Sequence, residues 1–224
     1  MYLALSATAM EMKAFDKAAA GIDCHRLVTG LGLVETTLRL TDWLRDRKEE
    51  RTNIAGVINF GIAGAYLHNG GAQTAGLLDI CLATDEVLGD LGICLHAKIE
   101  RFSADNLGLQ QSFVLDRALR ARGEKALAQA KKPCKSGRFV TVQCVSGTEQ
   151  RGNMLGKAFE GMCETMEGAA VARVCGEFAV PVLEVRCVSN LVEDRNVQNW
   201  KLRQACNRAG QAASVIIRAL AVRS

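Results

Sequence analysis

Residues Cys163–Asn190 read CETMEGAAVARVCGEFAVPVLEVRCVSN, and the two halves of this stretch obey different periods. Ala169, Ala170, Val174, Cys175 and Phe178 recur at helical spacing. After Pro181, Val182–Val188 is a short apolar run that reads as a buried strand. A helix feeding directly into a buried strand is the building unit of an α/β protein. Two polar residues bracket the unit. Glu167 stands at the entry to the helix and Asn190 just past the end of the strand.

The same alternation runs along the chain. Strands are expected at Tyr2–Ser6, Cys24–Thr29, Ile54–Phe60, Leu77–Ala83, Gly92–Leu95, Phe139–Val145 and Val182–Val188. Helices are expected at Leu33–Arg47, Gln111–Arg122, Glu167–Phe178 and Gln198–Ala221. The polar stretch Arg122–Arg138, which holds Pro133, reads as a surface loop. No repeat and no Pro/Gly/Ser linker divides the 224 residues, so one domain over residues 1–224 is expected, built on a central, largely parallel sheet.

Composition narrows the function classes. The net charge is only +4, and aromatics make up 5% of the chain. The basic clusters Arg45, Arg47, Lys48 and Lys131, Lys132, Lys135 have no aromatics among them, so they read as charged helix ends and a loop, not as a nucleic-acid surface. The nine cysteines form no CxxC pair, and Cys81, Cys94, Cys144, Cys175 and Cys187 sit in apolar runs. They read as small core residues in a reducing compartment. His25, His68 and His96 are far apart, and no residues have metal-ligand spacing, so neither a metal nor a cofactor is expected. The amino terminus enters a strand directly and no apolar stretch spans a bilayer, which gives a cytoplasmic expectation with no membrane partner.

Ligands of open α/β sheets gather at the carboxyl ends of the strands. Those ends carry SATAMEMK, TGLG, NFGIAGA, SGTE and SNLVEDRN. Their glycines and small residues let backbone amides, such as those at Ala63 and Gly64, approach a ligand closely. Glu11, Glu167 and Asn190 are the polar residues that stand out. By spacing alone the two glutamates also fit solvated first-turn carboxylates, and Asn190 also fits a turn residue.

Five segments, in order, resemble the nucleoside phosphorylase and nucleosidase superfamily. SATAMEM is similar to its first-strand motif, TGLGLVETT to its second-strand turn, NFGIAGA to its Gly-Ser-Ala-Gly turn, and VSGT, with Thr148, to the start of its base-pocket segment. ETMEGAAVARVCGEFAVPVLEVRCVSN is similar to its Met-Glu helix and Arg-x-x-Ser-Asp strand end, where Ser189 takes the serine position. The methylthioadenosine/S-adenosylhomocysteine nucleosidases and the futalosine hydrolases are the families it looks most like. The resemblance implies a three-layer phosphorylase/hydrolase-like fold with a mixed, largely parallel sheet flanked by helices, a nucleoside and water as partners, and assembly into a homodimer or larger homo-oligomer.

It also implies roles. Glu167 would bind the ribose hydroxyls and stabilise an oxocarbenium-like sugar, Met166 would pack under the ribose, and Glu11 would activate the attacking water. The rival register puts Lys13 at Glu11's place, and a charged amine is a poor base. Asn190 replaces the aspartate of adenine-type nucleosidases. Its NH₂ can donate to O6 of a 6-oxopurine, and its carbonyl oxygen can accept from N7–H of the leaving base. The N7 proton must then come through water. No arginine follows the early strands, and a carboxylate beside the attack position repels phosphate, so hydrolysis is favoured over phosphorolysis. SNLVEDRNVQNW resembles the futalosine hydrolase strand end, which implies release of hypoxanthine from futalosine in menaquinone biosynthesis and makes Arg195 a partner for the benzoate of that substrate. A subunit-interface ion pair is the other reading of Arg195.

Two positions depart from the family pattern. Ile62 replaces its serine, and Gln150 falls where an aromatic often stacks on the base, leaving Phe102 or Phe60 as replacements. A purine nucleoside phosphorylase, an adenine-type nucleosidase and a non-catalytic nucleoside-binding module are the alternatives. The pairing of Glu11 with Glu167 argues against the last of these, since a binder needs no water-activating carboxylate.

Overall fold

The structure is a computed structural model that describes residues 1–95, 98–103 and 108–221. His96 lies outside the described residues. In chain order the strands are β1 (Tyr2–Ser6), β2 (His25–Val28), β3 (Gly56–Tyr66), β4 (Ile80–Leu88), β5 (Gly92–Leu95), β6 (Lys98–Arg101), β7 (Ser112–Val114), β8 (Cys134–Thr141), β9 (Cys163–Thr165) and β10 (Val182–Val192). The helices are α1 (Ala9–Ala18), α2 (Gly32–Glu49), α3 (Arg117–Gln129), α4 (Glu149–Phe159), α5 (Gly168–Glu177) and α6 (Leu202–Ala221).

Period-two burial sorts the strand side chains onto two helix-covered faces. Tyr2 and Ala4 of β1 join Met12 and Phe15 of α1, Leu119 and Leu127 of α3, and the small-residue stripe Ala205, Ala209, Ala212, Ala213 of α6. Leu3 and Leu5 face the other way, toward Leu40 and Leu44 of α2 and Val171 and Val174 of α5. A third cluster gathers Tyr66, Val140 and Val192 under Leu155 and Phe159 of α4. Helices on both faces of a mixed sheet make the three layers, as expected.

The strand order is β10-β4-β8-β9-β3-β1-β2, and β3 also pairs with β10, so β10, β4, β8, β9 and β3 close a ring. The pairs β1–β2, β1–β3, β3–β10, β4–β8 and β8–β9 are parallel, whereas β4–β10, β3–β9 and β4–β7 are antiparallel.

Several expectations need correction. Residues Gln111–Arg122 are not one helix. Ser112–Val114 is strand β7 on the edge of β4, and α3 begins at Arg117, where the Asp116 side chain accepts from Leu119 N–H at 2.6 Å. Arg122–Arg138 is not a loop but the rest of α3 and the start of β8, with Pro133 in the turn between them. The last helix starts at Leu202, after a short 3-10 turn at Val197–Asn199. Asn190 lies inside β10, not beyond it, because that strand continues past a bulge to Val192. Cys94 and Cys144 are exposed, unlike the core positions expected for them, and all nine thiols are free.

Candidate active site

The strand ends converge on a cavity of about 310 Å³. Its lining includes Glu11, Ala63, Gly64, Met166, Glu167, Ser189, Asn190 and Arg195, all site candidates by sequence. Thr148 is not part of the lining. It is the N-cap of α4, where its hydroxyl accepts from Arg151 N–H at 3.3 Å. Thr8, Ser146, Glu164, Arg186 and Trp200, which carry no expected site role, also line the cavity.

Glu11 is third in α1 and closes a capping box with Thr8. Its Oε2 accepts from Thr8 N–H at 3.0 Å and from Thr8 Oγ1 at 2.7 Å, and its Oε1 accepts from Ile62 N–H at 3.0 Å. The carboxylate is 3% exposed, so its first-turn position coexists with burial, and it is not a solvated surface group. Ile62 contributes a backbone amide where the family pattern has a hydroxyl. A Cβ at Gly61 would run into Glu11 Oε1 and lie 2.6 Å from Arg186 Nη1, so only glycine leaves room for both groups over β3.

Glu167, also 3% exposed, lies just before α5. Its Oε1 accepts from Gly32 N–H at 3.1 Å, at the amino end of α2, which has no side-chain cap of its own. Its Oε2 lies 3.5 Å from Arg186 Nη2. Burial raises the Glu167 pKa, and the Glu11 and Glu184 carboxylates add to the rise; Arg186 and the Gly32 amide pull it back.

Arg186 is 2% exposed and lies 2.8 Å from Glu184 Oε1. Burial works against its charge, but Glu184, Glu167 and Glu11 outweigh burial and hold it protonated. The signal for this buried pair was present in the sequence: VLEVRCV carries two charges within a run otherwise buried on both faces. Beneath the pair lies Glu86, fully buried, accepting from Thr141 Oγ1 at 2.6 Å. A Cβ on Gly168 would run into Glu86 Oε1 and lie 2.6 Å from Glu184 Oε2, which places the two carboxylates against each other. Burial foremost, and then the Glu184 charge, pushes Glu86 well above its ordinary 4.5. A proton on Glu86 supplies the donor that Glu184 Oε2 otherwise lacks.

That proton has a consequence for stability. The folded chain keeps it while the unfolded chain releases it above about pH 4.5. Glu86's contribution is therefore complete below about pH 4.5 and declines as pH rises toward the folded-state value. Glu86→Gln cannot ionise and is expected to lose less stability than the wild type between pH 4.5 and 7. Urea unfolding across that window tests this, and parallel pH dependences of the two proteins would contradict it.

Neither proposed stacking aromatic faces the cavity. Phe60 is buried 5.2 Å from Phe15 in the core, and Phe102 lines a separate cleft with Arg101 and Leu109. The aromatic in the lining is Trp200, with the Arg195 guanidinium 4.8 Å from its ring centre. Among the described residues, no group of three or more His, Cys, Asp or Glu could hold a metal ion. No helix among them is long and apolar enough to cross a membrane.

Comparison with known proteins places this chain in a family. A futalosine hydrolase of Thermus thermophilus is 30% identical over 189 residues, covering 83% of this chain and 77% of that protein. The solved futalosine hydrolase mutant of Helicobacter pylori superposes with a TM-score of 0.81 at 17% identity, covering 97% of this chain and 98% of the other. A Helicobacter pylori methylthioadenosine/S-adenosylhomocysteine nucleosidase mutant with 5′-methylthioadenosine in its active site gives 0.79 at 18% identity, covering 97% of both chains. At these identities the two structural matches establish the fold alone. The profile of the Phosphorylase superfamily matches residues 25–221, and with the futalosine hydrolase relative this settles membership: the chain belongs to the Phosphorylase superfamily.

Proposed function

We propose that the protein hydrolyses the N-glycosidic bond of a 6-oxopurine nucleoside, with futalosine as the substrate and hypoxanthine as the released base. The observation that carries this reading is the pair Glu11 and Glu167, each 3% exposed and both lining one cavity with Asn190. Water attacks C1′ while Glu11 takes its proton. Glu167 accepts from the ribose hydroxyls and balances the positive charge that develops on the sugar. Asn190 donates to O6 and accepts from N7–H of the departing base, whose N7 proton is delivered through water while the proton taken by Glu11 returns to solvent. Arg195 meets the carboxylate at the 5′ side of the substrate.

Water is favoured over phosphate because the buried cation is already engaged. Arg186 faces Glu184 at 2.8 Å and Glu167 at 3.5 Å, with Glu11 beside it, so an incoming dianion would meet carboxylates before a free positive charge. A second reading, an adenine-type nucleosidase, is supported by the relatives of that activity, including one from Staphylococcus saprophyticus. Asn190 separates the two. Futalosine, inosine and methylthioadenosine, each with and without phosphate, are expected to rank with futalosine first and with no phosphate requirement. Asn190→Asp is expected to move the ratio of 6-oxo to 6-amino nucleoside cleavage by about tenfold or more toward the amino form. Preference of the wild type for methylthioadenosine would select the second reading.

A further inference from the structure

We propose that Glu164 is a specificity-determining residue that reads the N1–H of the purine; the inference rests on the nucleosidase reading above. Three neighbouring strands carry the argument. Glu164 of β9 is directly opposite Gly64 of β3, and Gly64 is directly opposite Asn190 of β10. Residues paired across strands share a face, so the three line up on one face with the glycine in the middle. Two strand spacings, roughly 9.5 Å, separate the outer backbones. A Cβ on Gly64 would stand 2.9 Å from Val192 Cγ2 and 3.3 Å from Asn190 Nδ2, so only a residue without a side chain fits in the middle of the row, and all three residues line the cavity.

The hydrogen bonds orient both ends of this row. The Leu191 carbonyl can only accept, so the Asn190 NH₂ faces it, at 3.2 Å. The Asn190 Oδ1 accepts from the Ser189 hydroxyl at 2.7 Å. The same NH₂ lies toward Gly64, since Nδ2 is 3.3 Å from where a Cβ on that glycine would stand. The donor of Asn190 therefore lies on the Glu164 side of the amide. Glu164, 6% exposed, is fixed by Ser146, whose N–H donates to Oε1 at 2.7 Å and whose Oγ donates to Oε2 at 2.6 Å. Tyr66 Oη donates to Oε2 at 3.1 Å. Oε1 thus takes one donor from the protein and keeps acceptor capacity for another.

The edge of a 6-oxopurine runs N7, O6, N1–H, which is acceptor or N–H, acceptor, donor. Laid along Asn190, Gly64 and Glu164, O6 meets the Asn190 NH₂ and N1–H meets the Glu164 carboxylate. In a 6-aminopurine both outer matches reverse: the amino group faces a donor, and the N1 lone pair faces a carboxylate. Glu164 thereby doubles the discrimination that Asn190 begins.

Two measurements test the proposal. In the first, wild-type protein binds hypoxanthine, 1-methylhypoxanthine and adenine in a calorimeter. Hypoxanthine is expected to bind at least about tenfold more tightly than either of the others. In the second, Glu164→Gln retains an acceptor for Ser146 N–H and gains an NH₂ that can donate to adenine N1. The inosine-to-adenosine ratio of kcat/KM is expected to fall about tenfold or more in this variant. Equal wild-type affinity for hypoxanthine and 1-methylhypoxanthine would overturn the proposal, whether or not the variant folds. So would a variant in which both nucleosides slow by the same factor, because that is what a purely structural glutamate gives. A wild type that cleaves no nucleoside removes the nucleosidase reading itself and this inference with it; cleavage with an unmoved ratio removes the inference alone.

Discussion

Glu11→Gln is expected to lower turnover by about 10²- to 10⁴-fold, the range over which a positioned general base acts. The amide cannot take a proton from the attacking water. It also cannot satisfy both of its backbone donors, because Thr8 N–H and Ile62 N–H approach different carboxylate oxygens. One donor is left facing an NH₂ group, at a cost of about 1–3 kcal/mol. The two effects separate experimentally. Urea unfolding reads the stability loss, and hypoxanthine binding reports whether the cavity is intact. Folded variant that binds the base normally and turns over at near wild-type rate would remove Glu11 from the chemistry.

Arg186→Met is expected to carry the largest stability cost of any single change in the site. The guanidinium is 2% exposed and stands among Glu184, Glu167 and Glu11. Methionine nearly fills the volume but leaves these carboxylates without their common counter-charge. Removing one partner of a buried ion pair costs about 3–5 kcal/mol, a large part of the total of about 5–15 kcal/mol that holds a domain folded. Without the cation Glu167 becomes still harder to ionise, since burial already raises its pKa and Arg186 is the main opposing influence. Turnover should fall even at temperatures where the variant stays folded. An unfolding free energy within about 1 kcal/mol of wild type would show that the carboxylates neutralise themselves by taking up protons.

The helix–strand unit at Cys163–Asn190 was legible because its apolar period changes within one segment, and the structure has α5 and β10 there. Other elements were hidden for physical reasons. Helix α1 is only ten residues long and is absent from the helices expected by periodicity, although a first-turn position is one reading of Glu11 and Thr8-x-x-Glu11 is a capping-box signature. Strand β9 is three residues long, too short for any period to register, yet it supplies Glu164 and helps close the ring. Thr148 is a site candidate through the resemblance of VSGT to the base-pocket segment, and its hydroxyl caps α4, a role that only the helix start reveals. Glu184 and Arg186 are two residues apart on β10, but Glu86 reaches them only through the pairing of β10 with β4, which local sequence does not contain.

The most direct test of the account is to incubate the protein with futalosine in phosphate-free buffer made with ¹⁸O-water and to analyse both products by mass spectrometry. Water attack at C1′ predicts stoichiometric hypoxanthine and one ¹⁸O on the sugar product, with no increase in rate when phosphate is added. Release that requires phosphate and yields a sugar 1-phosphate, or no release of hypoxanthine, would contradict it.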